Sequence, residues 1–305
     1  MTALILGLLV AAPACKAETT RELIRDRHFL RGFTVYDPAP GKHVERGVLQ
    51  WEECIGDPVW GLAQWHSLHS IEGVEGERLE TGGVRFSNET KSITVGKPGT
   101  DSGDVAFGID ADLEYPDGPR RHGQDWPHLL ASQRFKPTPT IAEMTELRFH
   151  VEGLLKRSKR YEMEGYSPNV HAAQFVTTVT VQNLNRESAG YGDFLWLNIP
   201  QYDDRRPVTA RFVAPDQAQK KLIFTVPGEA LSGQSAHDGE WVVFDADILP
   251  FVNEALDEAW QRDFLPDSRD LNDYHLGGIS TGWEVPGTLS VEMQIRNLSL
   301  RVSTE

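Results

Sequence analysis

The sequence predicts a mainly β protein: a jelly-roll-like antiparallel β-sandwich with one packed amphipathic helix near residues 248–263. Three observations predict it. From Phe33 to about Asp245, short runs rich in Val, Ile, Thr and Phe alternate with clusters of Gly, Pro, Asn and Asp, and 27 Gly and 18 Pro supply many turns. Several runs alternate apolar and polar residues with period two, the spacing of a half-buried strand. A chain of 305 residues with 39% hydrophobic and 25% charged residues can bury a sizeable core, whereas collagenous, wholly disordered and multi-span membrane compositions are excluded.

The elements follow in chain order. Residues 3–14, ALILGLLVAAPA, form an apolar run of signal-peptide length, too short to span a bilayer. Residues 1–17 therefore read as an export signal cleaved before Glu18, with a single sandwich domain over residues 18–305 in an extracytoplasmic compartment. Cys15 sits where a lipoprotein signal places its lipidated cysteine, so a lipid anchor there is the variant form of that export. Cys54 is then left without a disulfide partner and reads as a small apolar side chain beside Trp51 and Ile55. In ETTRELIRDRHFL, Leu23, Ile24, Phe29 and Leu30 recur at helical spacing behind Thr19 or Thr20, which predicts a short helix.

Leu147–Glu152 places Arg148, His150 and Glu152 on one strand face and Leu147, Phe149 and Val151 on the other. Gln174–Asn183 is dominated by β-branched residues, and Phe194–Ile199 and Lys221–Val226 are evenly apolar, as central strands are. For the helix near 248–263, Asp247 is placed to cap, Pro250 fits the first turn, and Ile248, Phe251, Val252, Ala255, Leu256, Ala259 and Trp260 recur every three or four residues. In Ser290–Val302 the apolar parity changes between Val291, Met293, Ile295 and Leu298, Leu300, Val302, which predicts a bulge near Arg296 and Asn297.

Three groups of residues could carry chemistry. FGIDADLEYPDG places Asp110, Asp112 and Glu114 at alternate positions of an expected strand, so three carboxylates would project from one face. Such a cluster is tolerable if it is solvated, bound to a cation such as structural calcium, or split so that one acid stays protonated beside an ionised neighbour. The triplet, in an exported all-β chain of this size, resembles the motif of jelly-roll endoglucanases of the laminarinase and lichenase type. The resemblance implies Asp110 as nucleophile, Asp112 as supporting acid and Glu114 as acid/base. The family's first acid is Glu, one methylene longer than Asp110.

RRHGQDWPH brings Arg120, Arg121, His122, Asp125, Trp126 and His128 into a turn-rich loop. An aromatic ring covers the apolar face of a pyranose while charged groups fix its hydroxyls, so Trp126, His128 and Arg121 are candidate sugar contacts, together with Trp65 from a segment that also holds Trp51 and Trp60. His150 or His171, with Tyr161, Tyr166 or Tyr202 and Arg148, could supply the base, acid and neutralising group of a polysaccharide lyase; His150 is also a candidate substrate contact.

These residues point to a carbohydrate-active protein acting on a polysaccharide or oligosaccharide without a required cofactor, as a glycoside hydrolase, a non-catalytic glycan-binding or surface-assembly sandwich, or a lyase. With 30 Lys and Arg against 45 Asp and Glu, the net charge of −15 disfavours nucleic acid and other polyanions, although LLKRSKR (Lys156, Arg157, Lys159, Arg160) is a local exception. The chain contains no GxSxG elbow, P-loop, HExxH, CxxC or helix-opening GxGxxG.

Overall fold

A computed structural model describes residues 18–40, 43–216 and 219–305. The export-signal reading of residues 1–17, including Cys15, lies outside the described residues. In chain order the strands are β1 (Thr19–Glu22), β2 (Phe33–Tyr36), β3 (Glu45–Leu49), β4 (Trp60–Ala63), β5 (Glu77–Arg78), β6 (Val84–Ser87), β7 (Lys91–Val95), β8 (Val105–Asp110), β9 (His128–Arg134), β10 (Met144–Arg160), β11 (Gln174–Asn183), β12 (Phe194–Asp203), β13 (Phe212–Pro215), β14 (Leu222–Thr225), β15 (Val242–Asp247), β16 (Tyr274–Glu284) and β17 (Leu289–Thr304); α1 spans Leu249–Gln261.

They form two sheets. The eight-stranded sheet runs β15-β10-β17-β8-β7-β6-β5, with β1 paired to β17; the nine-stranded sheet runs β13-β14-β12-β11-β16-β9-β4-β2-β3. Pairing is antiparallel except at β2/β4 and β12/β14. The jelly-roll-like sandwich expected from the sequence is what forms, because strands with one apolar parity can hide it only against another sheet. Between the layers Phe107 meets Phe175 at 6.3 Å, and buried Trp283 of β16 donates its indole N–H to Phe107 O of β8 at 2.7 Å. One continuous hydrophobic cluster takes in both sheets and the helix.

Leu147, Phe149 and Val151 face this core while Arg148, His150 and Glu152 lie on the outer face, as period two requires. The bulge in β17 is present: His150 pairs with Ser299 but Glu152 with Arg296, leaving Asn297 and Leu298 opposite one residue. Asn297 has φ 59°, and its backbone N–H donates to Asp104 Oδ2 at 2.7 Å. The helix α1 starts behind Asp247, whose Oδ1 accepts from Leu249 N and from Leu147 N at 3.0 Å each, tying the helix start to β10. It buries Leu249, Val252, Ala255, Leu256 and Ala259.

The short helix expected over residues 19–30 does not form. Thr19–Glu22 instead pairs with Thr304–Arg301 at the edge of β17, and Leu23 N donates to Leu300 O. The chain then turns at Asp26, φ 52°, whose carboxylate accepts from Leu30 N and Arg31 N. Leu23, Ile24 and Phe29 are buried all the same, so the apolar spacing was meant for the core and an open sheet edge decided the backbone.

Candidate functional site

The outer face of the nine-stranded sheet has a floor of small polar residues. Registers align Asn198, Thr178, Ser280, Ser132 and Gly61 in one transverse row across β12, β11, β16, β9 and β4. Gly61 is required there, because a Cβ would lie 2.2 Å from the Tyr36 ring that crosses over it. Four residues along the strands, Glu284 of β16 pairs with His128 of β9, both on the side of Ser280 and Ser132. Trp65 follows β4, and its carbonyl accepts from His128 N at 3.0 Å.

The loop before β9 folds back onto this end of the sheet. Trp126 stacks on His128 with ring centroids 5.7 Å apart and planes at 24°, while Trp65 meets His128 edge-on at 5.7 Å. The Trp126 indole N–H donates to Glu284 Oε2 at 3.4 Å, and His128 Nε2 lies 3.8 Å from the same oxygen. The Arg120 guanidinium sits 4.7 Å over the Trp126 ring. His66, φ 57°, places its Nδ1 3.3 Å from Asp125 Oδ2 and its ring 6.1 Å from His128.

Burial holds the His128 imidazole below its ordinary pKa, and nearby His66 adds to this, against the opposing pull of Glu284. Its Nδ1 has no hydrogen-bond partner among the described residues. Glu284 is 29% exposed and Asp125 74%, so the cluster presents one half-sheltered carboxylate and one solvated one beside a neutral imidazole and two half-buried indoles. Such a surface can stack on a sugar face and hydrogen-bond its hydroxyls.

The structure thus brings Trp65, Trp126 and His128 together, and adds Glu284, His66 and Asp125. Arg121 is not brought to these rings: its backbone N–H donates to Gln124 Oε1 at 2.6 Å, and it lines a separate depression with Arg120, His122 and Glu164. Glu284 is the residue sequence reasoning missed. Its partner is 156 positions away, and the only local sign is that apolar Trp283 and Val285 leave it the opposite face.

The acidic triplet is not on a strand face. β8 ends at Asp110, and Ala111–Glu114 forms a turn of 3-10 helix, which rotates the three carboxylates apart. Asp110 Oδ1 is buried without a hydrogen-bond partner among the described residues. Glu114 is fully buried against Lys91, with Oε1 2.7 Å from Nζ, and accepts from Ser67, Thr90 and Leu68 N at 2.7, 2.8 and 2.6 Å. Burial pushes the Glu114 carboxyl up, but Lys91 and these donors outweigh it and hold it below the usual value. An acid held ionised and shut away from solvent cannot protonate a leaving group, so the geometry gives Glu114 a structural place. Among the described residues no group of three or more His, Cys, Asp or Glu side chains is arranged to hold a metal ion, the triplet included.

The lyase residues are likewise dispersed. His150 and Arg148 are on the outer face of the other sheet and both pair with Asp245, His150 through Nδ1 at 2.8 Å. His171 is buried and satisfied on both nitrogens, accepting from Ser167 N at 2.7 Å and donating to Arg120 O at 2.6 Å. The Tyr166 ring lies 4.9 Å from His171 at a tilt of 34°, and Tyr202 lies at the end of β12 with its hydroxyl 2.8 Å from Ser158 Oγ. Tyr161 is anchored through its backbone to Thr288.

No family model matches the chain, and no curated protein matches it. Among solved structures, the chain is similar to the endoglucanase cel12A from Rhodothermus marinus, at 13% identity and a TM-score of 0.40, over 76% of this chain and 97% of that one. It is also similar to a family 12 xyloglucanase from Bacillus licheniformis, at 9% identity and 0.41 over 79% and 99%, and to the family 11 xylanase from Neocallimastix patriciarum, at 7% and 0.39 over 75% and 94%. An endoglucanase is thus among the solved structures to which the chain is similar. Among the described residues no helix is long and apolar enough to cross a membrane.

Proposed function

We propose that the chain is an exported carbohydrate-binding sandwich that holds a neutral oligosaccharide on the outer face of its nine-stranded sheet, with one sugar ring seated at Trp65, Trp126, His128 and Glu284. The observation that carries this reading is the convergence of those four side chains at one end of the small-residue floor. Indoles supply apolar faces, Glu284 and His128 supply an acceptor and an imidazole, and Asn198, Thr178, Ser280 and Ser132 offer short polar side chains in a row across the strands. The net charge of −15 favours a neutral polymer over an acidic one on this face.

Glycoside hydrolysis is the second reading. It is favoured by Glu284, a half-sheltered carboxylate beside an imidazole, with Asp125 in the same cluster as the second acid that such chemistry needs. Both readings are tested by incubating the full chain with neutral polysaccharides, measuring retained polymer and resolving products by mass. Binding without products, weakened about tenfold or more by Trp126→Ala, supports the binding module. New oligosaccharides that vanish in Glu284→Gln while affinity persists make it a hydrolase. Unchanged affinity and turnover in both variants would move the site elsewhere. Export is tested by comparing the cellular location of the full chain with that of a chain lacking residues 1–17.

A further inference from the structure

β10 continues for seven residues beyond Gly153, where its pairing with β15 ends, so Leu154–Arg160 has β17 on one side and an open edge on the other. Beneath that edge is an open pocket of about 440 Å³, lined also by Tyr202 and Asp204 at and just after the end of β12, by His237 and Gly239 in and just after a short 3-10 turn, and by Leu289. It shares no residue with the Trp126 cluster. The ladder slips here: Leu155 pairs with Met293 but Arg157 with Glu292, so Lys156 is the extra residue of a bulge. Bulges re-aim a side chain out of its ladder position.

The charge in this pocket runs against the rest of the molecule. Lys156, Arg157 and Arg160 line it against one carboxylate, Asp204. Arg160 is paired with Asp204 at 2.6 Å, and Arg157 reaches Glu292, outside the pocket, at 3.4 Å. Lys156 is exposed and has no carboxylate partner among the described residues. Leu155, Leu289 and the Tyr202 ring add an apolar wall, and the Ser158 and Tyr202 hydroxyls bond each other at 2.8 Å. The volume is that of a site for a small organic molecule, and larger than an inorganic anion needs.

We propose that this pocket binds a carboxylate-bearing sugar, a uronate residue of an acidic glycan, with Lys156 and Arg157 meeting the carboxylate and the Leu155–Tyr202–Leu289 wall meeting the ring. The site is separate from the one proposed for neutral glycans and would give the protein a second, acidic specificity. The test is titration of the full chain with a trigalacturonate, with an uncharged trisaccharide and with inorganic sulfate, in the wild type and in Lys156→Glu, Lys156→Gln and Trp126→Ala.

In Trp126→Ala, where the neutral site is weakened, the trigalacturonate is expected to bind about tenfold or more tightly than the uncharged trisaccharide. Lys156→Glu is expected to abolish trigalacturonate binding and Lys156→Gln to weaken it, while Trp126→Ala leaves trigalacturonate affinity at the wild-type value. Melting curves confirm that the exposed-edge variants stay folded, and Lys156→Gln serves if charge reversal unfolds the protein. Equal affinity for the two trisaccharides in Trp126→Ala, trigalacturonate binding that survives both Lys156 substitutions, or displacement by sulfate at equal concentration would overturn the proposal. Loss of trigalacturonate binding in Trp126→Ala would assign it to the other cluster and also overturn it.

Discussion

Removing one charge from the Lys91–Glu114 pair is expected to cost the fold about 3–5 kcal/mol, because the surviving partner is left buried and uncompensated. Glu114→Gln should therefore lower the denaturation midpoint strongly, whereas Lys91→Met combined with Glu114→Leu should recover much of the loss. A chemical-denaturation series on the three proteins checks this; a Glu114→Gln variant as stable as the wild type would contradict the structural place given to that acid. The same residue shows why local sequence misleads about a site. Alternation of Asp110, Asp112 and Glu114 reads as one strand face, but the strand stops at the first acid, and Lys91 and Ser67 are contributed by distant segments. Trp126 and His128 were legible because a turn-rich loop of mixed chemistry is itself a local feature, while Glu284 is joined to them only by strand register.

At the scale of elements, apolar parity was a reliable guide wherever a strand had one buried face. The change of parity in β17 marks the bulge at Asn297, and the three- and four-residue spacing marks α1. It misled at residues 19–30, where Leu23, Ile24 and Phe29 have helical spacing but the free edge of β17 offered backbone partners that a one-turn helix could not match. The bulge carries its own prediction. Asn297 combines φ 59° with a bond from Nδ2 to Glu152 Oε1 at 2.7 Å. Asn297→Gly keeps the backbone easy, whereas Asn297→Val meets a left-handed conformation that a β-branched residue resists. Val should be less stable than Gly by about 1–2 kcal/mol in urea unfolding; equal stability would mean that the bulge relaxes.

For the whole molecule, the buried and paired ionisable groups predict a stability curve with two descents on acidification. His128 and His150 are held below their ordinary pKa, chiefly by burial, so the unfolded chain takes up protons first. Stability is therefore full above about pH 6.5 and falls below it, until the folded imidazoles titrate in turn. Glu152 and Asp203 join Glu114 in lying below the usual carboxylate range. Burial raises each, but Asn297 and Arg296 at Glu152, and Arg205 and Gln174 at Asp203, pull them lower. Their contribution is present above about pH 4–4.5 and is lost as pH falls through the folded values. Melting temperature recorded from pH 8 to pH 3 should show both descents. In His128→Gln the first should shrink, in a setting where Glu284 and His66 also act on that ring; an unchanged slope would contradict the burial argument.

The pairing of β1 with β17 gives the topology a direction in time. Thr19 lies opposite Thr304, their hydroxyls 2.9 Å apart, so a strand made near the beginning of synthesis finds its partner only when nearly the whole described chain has been made. The seam cannot close until residues 301–304 have left the ribosome. The same adjacency means that a short linker could join residue 18 to residue 305 and the chain could be reopened at an exposed loop such as Gly233–Gln234. That circularly permuted protein would meet its β1 partner early, converting a late seam into a local hairpin without altering a single side chain of either proposed sugar site.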